Sequence, residues 1–147
     1  MGEAMLSGIL EKGLSTPEAI RVSDVNEIRR RHLERKYSVV VSNNNRLATT
    51  KADIVILAIK PQNLAEVLTE LSGQLKPTQL VLSIVAGARI DTLCKGLNHQ
   101  HIVRVMPNMP AQIGEGISVW TATAEITESR KEQVGSILST MGKEIFV

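Results

Sequence analysis

Side chains able to do chemistry are few in this chain, and their spacing excludes most reaction types. His32, His99 and His101 have no thiol or carboxylate neighbours at metal-ligand spacing, so no metal site is expected. Cys94 stands alone, which removes an internal disulfide and a Cys–His nucleophile pair, and no Gly-x-Ser-x-Gly elbow presents a serine. What remains is a polar residue set in stiff backbone. In "HIVRVMPNMPAQIGEG", residues 101–116, a strand-like run at 102–106 meets Pro107, Asn108 and Pro110, with Gly114 and Gly116 close behind. Two readings stand side by side: a rigid turn that re-aims the chain, or a preformed loop that holds the Asn108 amide against a ligand at little ordering cost. An amide is not a proton donor of useful pKa. The reaction, if there is one, must come from a bound cofactor.

The totals narrow the field. A chain of 147 residues, 43% hydrophobic and 22% charged, is one ordinary globular domain by size and composition. Net charge is +2, the basic residues cluster only in "RRRHLERK" (29–36), and there is one Trp, one Tyr and one Phe. A nucleic-acid binder needs a broad basic face or stacking rings, so nucleic acid is not an expected partner. No apolar run approaches the ~20 residues of a membrane span, and no signal peptide opens the chain. The lone cysteine fits a cytoplasmic setting.

The order of elements predicts an α/β, doubly wound, mostly parallel sheet of Rossmann type. Helices are expected at 2–13, 25–36 (Ile28 and Leu33 inward), 61–75, 89–97 and 127–141, with "NNRLATTK" a short helix or turn. Strands are expected at 19–23, 38–42, 52–59, 79–87, 102–106, 116–123 and 143–147. The run at 52–59 is apolar but for Asp53 and that at 79–87 but for Gln79 and Ser83, as strands buried on both faces are. The loops after the strands carry small or rigid residues: Ser23–Asp24, Ala58 to Pro61, Val85 to Gly87, and 106–110. Such loops let an extended ligand lie close to backbone, which favours a dinucleotide across the strand ends.

A dinucleotide fold opens with a strand and a Gly-x-Gly-x-x-Gly turn. This chain opens "MGEAMLSGIL", already helical, with Gly2 where the last glycine of that fingerprint belongs. The sheet is therefore expected to lack its first strand. The apolar finish "IFV" is equally abrupt, and both ends are expected to be interior to a longer protein.

Taken in order, "MGEAM", "LAIKP", "SIVAGA" and "RVMPNMPA" resemble pyrroline-5-carboxylate reductase across nearly the whole chain, over its nucleotide-binding domain. The resemblance implies NAD(P)H-dependent reduction of 1-pyrroline-5-carboxylate to L-proline, the last step of proline biosynthesis, with NADP or NAD as cofactor. Met1 falls on the end of the phosphate-binding loop, with Gly2 beside it. Asp24 falls where the adenosine ribose is met, and Asn45 near the adenine ribose, a helix cap being its alternative role. Ala58, Ile59, Lys60 and Pro61, with Val85, Ala86 and Gly87, fall along the dinucleotide; Ala58 and Val85 belong to the core in any case. Asn108 falls in the loop facing nicotinamide and substrate.

No catalytic residue is assigned within these residues. The resemblance makes residues 1–147 a partial nucleotide-binding domain, with a helical dimerisation and substrate domain outside it. It also implies a homo-oligomeric parent and an inactive isolated chain. Another NAD(P)-dependent dehydrogenase of the hydroxyacid or prephenate type, which is not expected to carry "MPNMPA", and a non-catalytic nucleotide-binding relative are the alternatives.

Overall fold

Helix and strand alternate along the chain, as the hydrophobic pattern requires. The computed structural model describes residues 1–108 and 115–147. In order the elements are α1 (Gly2–Glu11), β1 (Arg21–Ser23), α2 (Glu27–Tyr37), β2 (Val40–Ser42), α3 (Asn45–Thr49), β3 (Ile54–Leu57) and α4 (Leu64–Leu71). Then follow β4 (Leu80–Ser83), α5 (Ile90–Leu97), β5 (Ile102–Pro107), β6 (Gly116–Ala122), α6 (Glu128–Ser139) and β7 (Gly142–Phe146), with single 3-10 turns at Pro17–Ala19 and Pro61–Asn63.

The apolar runs pair as buried strands do. β3 and β4 are parallel with Ile54 opposite Leu80, and β4 and β5 are parallel with Val81 opposite Ile102. β6 returns antiparallel to β5, and β7 runs parallel to β6. β1 and β2 form a separate two-stranded parallel sheet. Among the described residues no strand stands between β1 and β3, so the α/β sheet is mostly parallel and lacks the strand expected there.

Side-chain alternation sorts the core into layers. Leu80, Leu82, Val103, Val105 and Trp120 face one side, where Met5 of α1 and Val134, Ile137 and Leu138 of α6 cover them. Val55, Leu57, Val81 and Ile102 face the other, against Leu68 and Leu71 of α4 and Leu93 and Leu97 of α5. A third cluster joins Leu6 of α1, Leu33 of α2 and Val39 before β2. Helices on both faces of a parallel sheet make the fold doubly wound.

The structure trims several expected elements. The Asn26 side chain accepts from Arg29 N, so α2 starts at Glu27 and its first turn lies outside the core layer. Ile28, expected to face inward, is 80% exposed, while Leu33 is buried as expected. β3 and β4 end at Leu57 and Ser83, because the next residues turn away into the loops at their carboxyl ends. The Thr127 hydroxyl accepts from Arg130 N and starts α6 at Glu128. Pro110 and Gly114, expected to stiffen the loop after Asn108, lie outside the described residues.

α1 and α6 touch through a missing side chain. A Cβ added to Gly8 would overlap Thr140 Oγ1 and lie 2.7 Å from Thr140 Cβ, and Thr140 itself is held by its hydroxyl bond to Ile137 O. Gly8→Ala is therefore expected to lower stability by about 1–3 kcal/mol, the usual cost of forcing a side chain into a filled contact. Adding Thr140→Gly opens the space and is expected to bring the loss below that of the two single changes summed, a coupling that urea titration of all four proteins measures.

Candidate nucleotide-binding site

Three neighbouring parallel strands, β3, β4 and β5, release their loops on one rim of the sheet. At that rim α1 begins. Met1 precedes the helix and makes no side-chain cap, so the first-turn amides have no side-chain acceptor. Gly2 lies so near the end of β3 that an added Cβ would be 2.9 Å from Ala58 Cβ. Two of the expected segments, Met1–Gly2 and the run starting at Ala58, are thus in contact. Ala58, Lys60 and Pro61 are exposed along the next turn, while Ile59 packs partly on the α4–α5 core.

After β4 the chain makes a tight turn. Ser83, fully buried, accepts through its hydroxyl from Val85 N at 3.2 Å. Val85 is only 3% exposed and points into the core, so it can meet a ligand only through backbone. Ala86 and Gly87 are exposed beside it, and Gly87 holds a left-handed φ of +74° with no heavy atom within 4 Å of a would-be Cβ. Asn108, exposed at the end of β5, accepts through Oδ1 from Ile117 N at 2.9 Å. Its carbonyl oxygen therefore has a structural task, the start of β6, of the kind the turn reading assigns to it.

A second group of polar residues follows β1. Asp24 accepts through Oδ1 from Asn26 N (2.9 Å), and its main-chain carbonyl accepts from Arg30 Nη1 (2.8 Å). The loop is closed from both sides, with the second carboxylate oxygen of Asp24 outside this turn bond. Asn44, not Asn45, caps α3, accepting from Leu47 N. Asn45 instead donates through Nδ2 to Glu70 Oε2 on α4 at 3.0 Å, which orients its side chain toward α4.

Glu3 was not singled out by its sequence context, yet it is the most strongly perturbed group here. Its carboxylate accepts from Tyr37 OH (2.7 Å) and Arg29 Nη2 (2.6 Å), with His32 and Lys36 each 3.4 Å away. The Tyr37 hydroxyl is the largest influence and, with Arg29 and His32, lowers the Glu3 pKa to about 2 against an opposing push from burial. Burial, and then the same contact, push the Tyr37 phenol up. The acid in the first turn of α1 and the row of bases on α2 were the available signal; only the packing of the two helices shows that they meet.

An open hollow lined by Lys12, Trp120, Lys131, Glu144 and Phe146 lies between α6 and β7, and none of the rim residues borders it. Among the described residues, no group of three or more His, Cys, Asp and Glu side chains could hold a metal, and no helix is long and apolar enough to cross a membrane. The rim itself fits a nicotinamide dinucleotide. Its uncapped helix start suits a diphosphate, and the glycine and alanine loops leave backbone accessible.

A family model described as NADP oxidoreductase, coenzyme F420-dependent, matches residues 1–87, the span from the start of α1 to the loop after β4. The chain belongs to this family. Curated relatives include the pyrroline-5-carboxylate reductase of Methanosarcina acetivorans, 35% identical over all of this chain and 55% of the relative. That of Synechocystis is 33% identical over the same shares. Among solved structures, a pyrroline-5-carboxylate reductase from Coxiella burnetii superposes with a TM-score of 0.91 at 27% identity, covering 99% of this chain and 54% of that one. Prephenate dehydrogenase from Aquifex aeolicus shares the fold at 14% identity, with a TM-score of 0.80. The chain spans about half the length of the curated relatives it matches.

In this family member the Glu3 cluster ties the helix start at the rim to α2. The folded-state pKa is depressed, so the contribution is complete above the ordinary carboxylate pKa of 4.5 and is lost as pH falls toward about 2. Arg29 and Lys36 are about half exposed, which screens their share. Glu3→Gln is expected to cost about 1–2 kcal/mol at pH 7. Thermal melts of both proteins should converge between pH 4.5 and about 2; a gap that stays constant with pH would assign the loss to shape instead of charge.

Proposed function

We propose that this chain is the nucleotide-binding part of an NAD(P)H-dependent pyrroline-5-carboxylate reductase, which forms L-proline in proline biosynthesis. The observation that carries the reading is the contact of Gly2 with Ala58 at an uncapped helix start, beside the exposed Ala86–Gly87 turn and Asn108. The sequence likeness to curated reductases over the full chain supports it. A bound nicotinamide cofactor supplies the hydride. The first-turn amides of α1 hold its diphosphate, the backbone at Ala58 to Pro61 and at Val85 to Gly87 lies along it, and Asp24 accepts from a ribose hydroxyl. Asn45 sits on the adenosine side. Asn108 uses its oxygen to position the loop and its amide nitrogen toward the nicotinamide end.

In this proposal residues 1–147 form one nucleotide-binding domain. The substrate-binding and dimerising part belongs to the length of the relatives that the chain does not span, and the whole protein is a cytoplasmic homo-oligomer. The isolated chain is expected to bind NADH and NADPH and to show no turnover of pyrroline-5-carboxylate. With the rest of the relatives' length joined to it, the protein is expected to oxidise NAD(P)H in the presence of that substrate. Turnover confined to a hydroxy acid or to prephenate would overturn the assignment.

The cofactor preference hangs on a small balance. Asp24 repels a 2′-phosphate, whereas Arg29 and Arg30 are already engaged by Glu3 and by the Asp24 carbonyl. Discrimination between NADH and NADPH is expected to stay within about tenfold, or about 1.4 kcal/mol. Asp24→Ser keeps a side-chain acceptor for Asn26 N, so a change in the ratio of the two dissociation constants reports on the ribose contact. An unchanged ratio removes Asp24 from the site.

Asn108→Ala deletes both groups of the amide. It is expected to lower stability by about 0.5–1.5 kcal/mol through loss of the Ile117 bond, read as a lower Tm, and to weaken cofactor binding in the folded fraction about threefold to tenfold. Loss of stability with unchanged affinity would leave Asn108 a turn residue only.

A further inference from the structure

Four side chains of α2 converge on Glu3, and one of them springs from the corner that carries Asp24. Asp24 Oδ1 accepts from Asn26 N at 2.9 Å, and Asn26 Oδ1 accepts from Arg29 N at 3.0 Å. Two successive hydrogen bonds therefore fix the Arg29 backbone relative to the Asp24 carboxylate. Three residues of helix separate Asn26 from Arg29, about 4.5 Å along the axis. Side chains on a helix lean toward its N-terminus, so an arginine here can reach back over the Asp24 loop. It can also reach across to α1. The structure shows it turned across, with Nη2 2.6 Å from Glu3 Oε1.

The neighbouring arginines are tied differently. Arg30 Nη1 donates to Asp24 O at 2.8 Å, and Arg21 Nη1 to Leu47 O at 3.3 Å. Each of these bonds closes main chain, and withdrawing the side chain deprives a carbonyl of its donor. Arg29 is bonded to a side chain instead, and its own side chain is 44% exposed. Glu3 in turn does not depend on Arg29 alone. Tyr37 OH donates to it at 2.7 Å, and His32 and Lys36 stand 3.4 Å away. The Arg29–Glu3 pair can thus open without stranding either charge.

We propose that Glu3 is a positioning residue that sets the cofactor preference, by holding the Arg29 guanidinium away from the adenosine ribose. The inference rests on the nucleotide site proposed above, in which Asp24 meets that ribose. NADH and NADPH differ there by one 2′-phosphate, a charge of about −1.5 to −2. Arginine pairs such a group through two parallel N–H bonds. With Glu3 ionised, the phosphate must draw Arg29 out of an existing charged pair, and breaking the old contact offsets much of the new one. With Glu3 neutral, the same guanidinium turns to the phosphate against little resistance. NADH offers only hydroxyls at that point and gains far less from the released arginine. A carboxylate in the first turn of α1 thus selects between two cofactors through a side chain of α2.

The test measures dissociation constants of NADH and NADPH at one salt concentration. It compares the unaltered chain with Glu3→Gln, Arg29→Gln, the double variant and Tyr37→Phe. Glu3→Gln is expected to shift the preference toward NADPH about threefold to tenfold, the size of a partly exposed charge-assisted bond. Adding Arg29→Gln is expected to remove most of that shift, while Arg29→Gln alone leaves the ratio nearly unchanged. Tyr37→Phe loosens the same cluster without releasing Arg29, so it is expected to lower Tm with the ratio unaltered. A ratio that follows Tm through all the variants overturns the proposal, because Glu3 is then structural only. An unchanged ratio in Glu3→Gln overturns it as well. So does an equal shift with and without Arg29, since Glu3 then acts through its own charge. A selective loss of NADPH affinity in Arg29→Gln also overturns it, because the guanidinium then already serves the phosphate. Binding of neither dinucleotide by the unaltered chain is a different failure, that of the nucleotide site itself, and this inference falls with it.

Discussion

The position of α1 constrains nearly everything else in this structure. One helix must cover β3 with Met5 and Ile9 and the β1–β2 pair with Leu6 and Leu10, while also resting against α6. A helix can approach three elements at once only where its side chains are smallest. Gly2 meets Ala58 and Gly8 meets Thr140 for that reason. The approach at Gly2 brings the helix start to the carboxyl ends of the parallel strands, where loops from β3, β4 and β5 converge. Close packing and the exposure of a ligand-accessible backbone are thus the same geometric fact at two ends of one contact.

Electrostatics reinforces this placement. Glu3 lies in the first turn of α1, where a negative charge suits the helix dipole, and α2 brings Arg29, His32, Lys36 and Tyr37 to it. The cluster holds α2 against α1 near the loop that carries Asp24. Arg30, one residue along, grips the Asp24 carbonyl from the other side. Two adjacent arginines therefore anchor two different parts of the same corner. This leaves the corner at Asp24 with a balance of charges instead of a dedicated cationic pocket, and in the proposed function neither cofactor is therefore strongly excluded.

In the proposed function the Asn108 side chain serves folding and binding together. Its oxygen satisfies Ile117 N at the start of β6, a donor that would otherwise be unpaired where the strand begins. That bond fixes the side-chain plane and so the direction of the amide nitrogen. The rigidity that Pro107 lends to the strand end is consistent with either task, and the two tasks need the same backbone.

Much of the fold was legible because its signals are local. Uninterrupted apolar runs marked β3 and β4 as buried strands, Thr127 marked the start of α6, and small residues marked the strand-end loops. The place between β1 and β3, expected to be without a strand, holds none among the described residues. Properties set by contacts between distant residues were not legible. Ile28 carries an inward spacing, yet the Asn26 cap starts α2 so that its first turn clears the core. Asn45 and Asn44 are identical in type, and only the turn of α3 decides that Asn44 caps while Asn45 reaches Glu70. Glu3 is one acid among many in sequence; its low pKa exists because α2 packs 26 to 34 residues away in the chain. The sequence by itself determined the element order and the chemical character of the rim, because hydrophobic period and turn chemistry act over a few residues. Tertiary structure alone decided which polar groups meet, because hydrogen bonds and charge pairs depend on distances that only packing sets.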